Sequence, residues 1–244
     1  MLSLVITTFR ETDVLAGSLP RIAAALRALG RPSELVFVDD GSGDGTADWV
    51  EAQCPAYADL APRVLRHPLN RGRGAALRTG FEACRGAYCG YLDLDLEVDV
   101  AYVAPTLAYL DAGADVVIGV RTYVKGRKGF DMRTFLSVGY RHLSRTVLRH
   151  RLSDTETGFK FFRRAALLPL LPHIEEGGWF FDTEVMMVSW LAKRRIAELP
   201  VEFHRRNDKP STVKVARDVR RYLVALARFV GRRRRLVAAL AALR

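Results

Sequence analysis

Two short apolar runs that each break into acidic residues constrain this chain most. One runs Val36, Phe37, Val38 into Asp39, Asp40 and Gly41; the other runs Tyr91, Leu92 into Asp93, Leu94, Asp95, Leu96 and Glu97. Runs this short and this apolar read as buried strands. Open α/β sheets bind ligands beyond the carboxyl ends of their strands, so two acidic strand ends point to one crevice. At strand spacing Asp93, Asp95 and Glu97 project to one side. Three carboxylates so placed repel one another, which suits a hard divalent cation carrying an anionic ligand better than it suits a core. A solvated strand end is the plainer reading of a lone Asp-x-Asp, and the second acidic strand end weighs against it. The pattern predicts a metal-diphosphate site.

The rest of the chain alternates. Strands are expected over residues 2–7, 35–39, 63–67 and 88–94, with helices over 12–29, 45–54 and 72–84 between them. Apolar residues at helical spacing (Leu15, Leu19, Ile22, Leu26) and the stop at Gly30 mark the first helix. This alternation predicts right-handed crossovers and a Rossmann-like, mostly parallel sheet flanked by helices. Beyond it come a helix at 103–112, a strand at 115–120, a mobile Gly- and Lys-rich loop at 125–129 and a helix at 132–148. A strand at 159–162, helices at 163–171 and 181–192 and an edge strand at 196–204 follow. Two parts are expected: a domain over 1–212 and a basic, amphipathic helical tail over 213–244.

Charge narrows the partners. The 38 Lys plus Arg against 27 Asp plus Glu leave a net +11, which favours an anionic partner. The excess lies after residue 120 and peaks at Arg232 to Arg235, with no interleaved aromatics, so nucleic acid is not expected. Arg133, Ser137, Arg141 and Arg145 stand at four-residue intervals on one helix face without acidic partners in sequence, an expected anion-binding face. Val215, Val219, Leu223, Leu226 and Val230 form an apolar stripe ahead of the arginine cluster. That fits an anionic membrane surface, docking on the domain itself, or an oligomer contact. Cys54, Cys84 and Cys89 lack any Cys-x-x-Cys pairing and read as reduced. No run approaches a membrane span and the N-terminus lacks a signal-peptide pattern, so a cytoplasmic protein, peripheral on the inner membrane face, is expected.

Six segments in order carry a family resemblance: Val5 to Glu11, Val38 to Ser42 with Asp44 to Thr46, Asn70 to Arg78, Asp93 to Glu97, Asp154 to Lys160 and Trp179 to Glu184. With them the chain resembles the family 2 inverting glycosyltransferases of GT-A fold, and within them the dolichyl- or polyprenyl-phosphate sugar synthases, over residues 1 to about 214. The resemblance implies that Thr8, Phe9, Glu11 and Asp40 border the nucleoside with Arg73 nearby, and that Asp93 faces the nucleotide sugar. It implies that Asp95 and Glu97 hold Mg or Mn, that Arg121, Arg133 and Ser137 bind the acceptor phosphate, and that Arg206 and Ser211 contribute to the same task. Thr7, Arg10 and Glu97 stand where relatives have Pro, Asn and Gln, Glu156 also replaces a Gln, and Thr212 stands where many have Lys.

The implied reaction is attack by a polyprenyl phosphate on the anomeric carbon of a nucleotide-diphosphate sugar. GDP-mannose is expected slightly ahead of UDP-glucose, and a separate membrane-anchoring protein is a further candidate partner. A phosphate is already ionised at neutral pH, so no general base is needed. Asp93, Asp95, Arg121 and Arg133 are then the expected catalytic residues. Two rivals stay open: a family 2 enzyme acting on a hydroxyl with Asp182, otherwise a donor-site residue, as base, and a non-catalytic nucleotide-sugar-binding subunit.

Overall fold

The computed structural model describes residues 1–123, 132–204 and 215–243, with side chains not described at 123, 132–138 and 215–218. Among the described residues seven strands form one sheet: β1 (Leu2–Thr8), β2 (Ser33–Asp39), β3 (Arg63–Arg66), β4 (Tyr88–Leu92), β5 (Val116–Tyr123), β6 (Phe159–Arg163) and β7 (Ile196–Phe203), in the order β3-β2-β1-β4-β6-β5-β7. β1 pairs in parallel with β2 and β4, β2 with β3, and β5 with β7. β6 runs antiparallel between β4 and β5. The expected mostly parallel α/β sheet is present, with β7 at one edge, where Pro200 faces solvent and removes one donor from the exposed edge.

Strand residues alternate between two cores. Leu2, Leu4 and Ile6 of β1 and Leu35 and Phe37 of β2 enter the core formed with α1 (Thr12–Ala28), α2 (Thr46–Gln53) and α4 (Val103–Asp111). Val5, Val36 and Val38 point the other way, toward α3 (Arg73–Ala83), α7 (Phe181–Leu191) and α8 (Val215–Leu240). Strands buried on both faces read as continuous apolar runs, and each enclosed Leu or Phe contributes about 1.5–3 kcal/mol. Two further helices are α5 (Met132–Leu148) and the short α6 (Arg164–Leu167), the latter followed by a 3₁₀ turn, Leu168–His173, in place of one longer helix. Pro169 and Pro172 account for that break.

At the C-terminus α8 runs through the arginine cluster to Leu240, and Leu226, Phe229, Leu236 and Leu240 recur on one face. That face is buried on the domain: Phe229 packs on Phe180, and Arg232 ion-pairs Glu184 and Glu175 and donates to the His173 carbonyl. Among the described residues no helix is long and apolar enough to cross a membrane. The loop expected at 125–129 lies outside the described residues.

Candidate active site

Strand direction assembles the site. Thr8 ends β1, Asp39 ends β2, and Asp93 follows β4, so all three stand at carboxyl ends. β1 connects outward to β2 on one side and neighbours β4 on the other, and this reversal opens the crevice. Because β6 runs backwards, its entry loop, 154–158, arrives at the same edge of the sheet.

The acidic segment is a turn, not a continued strand. β4 stops at Leu92, Leu96 N–H donates to the Asp93 carbonyl at 3.1 Å, and Glu97 N–H donates to Asp95 Oδ1 at 3.2 Å. Leu94 and Leu96 are buried beneath, and seating them places Leu96 at φ 52, in the left-handed region that a branched residue adopts at a cost. The three carboxylates are therefore not equivalent: Asp93 ion-pairs Arg73 at 2.6 Å, while Asp95 lies under the influence of Asp93, Glu97 and Glu11. Burial, then Asp93, Glu97 and Glu11, push the Asp95 carboxyl up to about 6. Such stored negative charge fits a cation, which would relieve it. Among the described residues no three Asp, Glu, His or Cys side chains converge as a complete metal cluster, so Asp95 and Glu97 would need ligands from elsewhere. Asp95 also borders a cleft of about 700 Å³ shared with Asp13, Arg21 and His204.

A buried charge network lies behind Asp93. Arg73, at the start of α3, bridges Asp93 to Asp182 at the start of α7, and its guanidinium stacks over Tyr91 and Trp179. Asp182 also accepts from Lys160 Nζ at 2.8 Å and from Tyr91 Oη at 2.5 Å. Burial alone would raise the Asp182 carboxyl, but Arg73 and Lys160 overcome it and hold it below the ordinary carboxylate range. Lys160 is fully enclosed, and burial pulls its ammonium down despite Asp182. Arg73 shows the opposite balance: burial opposes its charge, yet Asp182 and Asp93 raise it further.

Two glycines permit this packing. Gly72, at φ 96, opens α3 against the Gly177 carbonyl, where a Cβ would collide. A Cβ on Gly158 would strike the Asp93 carboxylate.

The remaining candidate residues divide. Thr8 Oγ1 donates to Asp39 at 3.3 Å, and Phe9 and Glu11 are exposed at the crevice mouth. Asp40 is enclosed and accepts from His67 Nδ1 at 2.7 Å and from the Arg71 and Gly72 amides at 2.9 and 2.8 Å, so it anchors the turn into α3. Arg10 binds the Ser42 carbonyl through Nε at 3.1 Å, which ties the first loop to the second. Arg121 is held by Asp154 and Glu156. Arg133 and Ser137 lie on α5 with undescribed side chains, and Arg206 and Ser211 lie outside the described residues. The proposed four-residue anion face is shorter than expected, because Arg145 donates to the Leu152 and Ser153 carbonyls, closing the loop after α5.

Lys160, Tyr91, His67 and Gly158 had no assigned role in the sequence reading. A visible signal existed for Lys160: a lone cation between Phe159 and Phe161 in a buried strand demands an enclosed carboxylate.

Residues 3–170 match the profile of Glycosyl transferase family 2. The chain is 29% identical over 222 residues to a dolichyl-phosphate beta-glucosyltransferase from Saccharomyces cerevisiae, covering 83% of this chain and 66% of that protein. It is 29% identical over 218 residues to a protein of the same description from Trichomonas vaginalis, covering 84% and 64%. The chain thus spans slightly under two thirds of these relatives' length. Glucosyl-3-phosphoglycerate synthase from Mycobacterium tuberculosis, solved with Mn2+, UDP and phosphoglyceric acid, superposes with a TM-score of 0.66 at 18% identity, covering 95% of this chain and 78% of that one. That likeness establishes the GT-A type of fold. With the profile match across most of its length, the chain belongs to glycosyl transferase family 2.

Proposed function

We propose that the chain is an inverting hexosyltransferase that moves a sugar from a nucleotide-diphosphate donor to a polyprenyl or dolichyl phosphate. The observation that carries this reading is the state of Asp182. Arg73, Lys160 and Tyr91 occupy its oxygens and depress its basicity, so the site offers a poor base for a hydroxyl and none is needed for a phosphate. The descriptions of the relatives agree with a dolichyl-phosphate acceptor and favour glucose over the mannose expected from the sequence.

In this reading Thr8, Phe9 and Glu11 border the nucleoside, Asp40 holds the turn that presents Arg73, and Arg73 fixes Asp93 toward the sugar. Asp95 and Glu97 would hold Mg or Mn, which supplies neutralisation of the charge on the departing diphosphate; the neighbour solved with Mn2+ and UDP supports this choice. Arg121, Arg133 and Ser137, aided by Arg206 and Ser211, grip the acceptor phosphate. One of its oxygens donates an electron pair to the anomeric carbon to form the new C–O bond as the bond to the nucleotide breaks, and the leaving diphosphate oxygen keeps the electrons of the broken bond. Catalysis is then positioning and charge stabilisation. The exposed Val219, Leu223 and Val230 on α8, beside Arg220, Arg221 and Arg234, support seating on an anionic membrane surface.

The test uses radiolabelled UDP-glucose and GDP-mannose with Mg or Mn, offered polyprenyl phosphate or a soluble hydroxyl acceptor. Label entering the organic phase from UDP-glucose is expected. Product only with the soluble acceptor would overturn the phosphate reading, and donor binding without turnover would indicate a non-catalytic subunit.

A further inference from the structure

Arg121 sits near the end of β5 and is shared between two unequal carboxylates. Asp154 is wholly buried and takes Nε at 2.7 Å and Nη2 at 3.0 Å, a two-point grip that fixes the guanidinium plane. Asp154 Oδ1 also accepts the Glu156 amide at 3.0 Å, so the loop that carries both acids is braced. Glu156 reaches only Nη2, at 3.3 Å, with 26% of its side chain exposed. The ring of Phe203 lies against the guanidinium at 5.5 Å. One carboxylate holds, and the other sits in a long, partly wet contact that can be exchanged.

We propose that Glu156 is a positioning residue, the exchangeable counter-ion of Arg121, which occupies Nη2 until the acceptor phosphate displaces it while Asp154 keeps the guanidinium in place. The inference rests on the assignment of Arg121 to the acceptor phosphate. Its consequence is selectivity by charge. A phosphomonoester carries about −1.5 to −2 at neutral pH and three acceptor oxygens, so it competes well with a single carboxylate. A neutral hydroxyl acceptor has nothing with which to displace Glu156. Transfer converts the monoester to a diester with about one unit less negative charge, so the same carboxylate competes better with product than with substrate and assists release.

The groups facing Glu156 among the described residues set its charge. They are Arg121 of β5, Asp154 of its own loop, and Arg141 and Tyr140 of α5. Burial raises the Glu156 carboxyl to about 7, with Asp154 adding to the rise and Arg121 and Arg141 opposing it. The counter-ion is therefore partly discharged near neutrality and fully charged above it. Competition with phosphate should grow as pH rises.

Glu156→Gln keeps the shape and removes the charge. With farnesyl phosphate as a soluble probe, its Kd by titration calorimetry and its KM as acceptor are both measured between pH 6 and 8.5. The variant is expected to bind about fivefold more tightly at pH 8, the effect of deleting one weak ionic competitor. Wild-type affinity, relative to the variant, should weaken across this range, and ionisation of the probe itself cancels in that ratio. Glu156→Asp, which keeps the charge, should retain the pH dependence. Equal affinities and parallel pH profiles for wild type and Glu156→Gln would overturn the proposal. If farnesyl phosphate binds but neither protein glycosylates it, the proposed reaction fails while the calorimetric ratio still decides the role of Glu156. If it binds to neither protein, both readings fall.

Discussion

Asp182→Asn should destabilise the protein far more than an ordinary surface change, and the structure says by how much. Lys160 is fully enclosed; its ammonium donates to Asp182 Oδ1 at 2.8 Å and to the Thr157 carbonyl. Asparagine leaves that ammonium, and the partly buried Arg73, facing a neutral amide. Removing one member of a buried pair costs about 3–5 kcal/mol, because the survivor has lost its solvent without compensation. In a chain of this length each kcal/mol moves the melting midpoint by about 2–4 °C, so a drop of roughly 10 °C is expected. Lys160→Met should cost less, about 1–3 kcal/mol, since Asp182 keeps Arg73 and Tyr91 as donors. The double variant Asp182→Asn/Lys160→Met should recover part of the loss without restoring turnover. Thermal melts of the four proteins at pH 7.5 measure these terms. A midpoint for Asp182→Asn within about 2 °C of wild type, with turnover abolished, would refute the structural assignment and return Asp182 to the role of base.

Two further perturbations separate site geometry from fold. Gly158→Ala places a methyl group on the Asp93 carboxylate; turnover should fall by about 100-fold, the scale of a 1 Å misplacement, with the melting midpoint shifted only a few degrees, and unchanged turnover would refute the assignment of Asp93. His150 accepts the Leu152 amide through Nδ1 at 3.2 Å and reaches Ser144 Oγ through Nε2 at 3.1 Å, so the ring is neutral with its proton on Nε2. Burial, then Arg145 and Arg233, bring its pKa from 6.5 to about 4. The unfolded chain takes up a proton that the folded chain refuses, so stability should fall as pH drops from 6.5 toward 4 and level off below, by up to about 3 kcal/mol. His150→Gln should remove that part of the pH dependence in urea melts, and an unaltered profile would count against the reading.

The sequence carried the site's chemical inventory further than its geometry. The acidic segment was legible because carboxylates at the end of an apolar run have few structural reasons to be there, while Arg73, Arg121 and Asp182 were legible only through the resemblance to the family. Their pairing was not. Asp93, Asp95 and Glu97 looked equivalent at strand spacing, yet two buried leucines bend the chain into a turn in which Asp93 ion-pairs Arg73 and Asp95 is pressed by both Asp93 and Glu97. Arg145 looked equivalent to its helical neighbours and proved to be committed to loop carbonyls.

By itself the sequence determined the alternating elements, a mostly parallel sheet flanked by helices and the family, since hydrophobic periodicity and motif order are local properties of a chain. Only the tertiary structure decided that β6 runs backwards through the sheet, carrying Asp154, Glu156, Gly158 and Lys160 to the carboxyl ends of β4 and β5. It also decided that α8 buries one face on the domain. The physical reason is common to both: strand direction and helix docking depend on contacts between residues far apart in the chain, and local spacing does not encode which distant surface will exclude water from them.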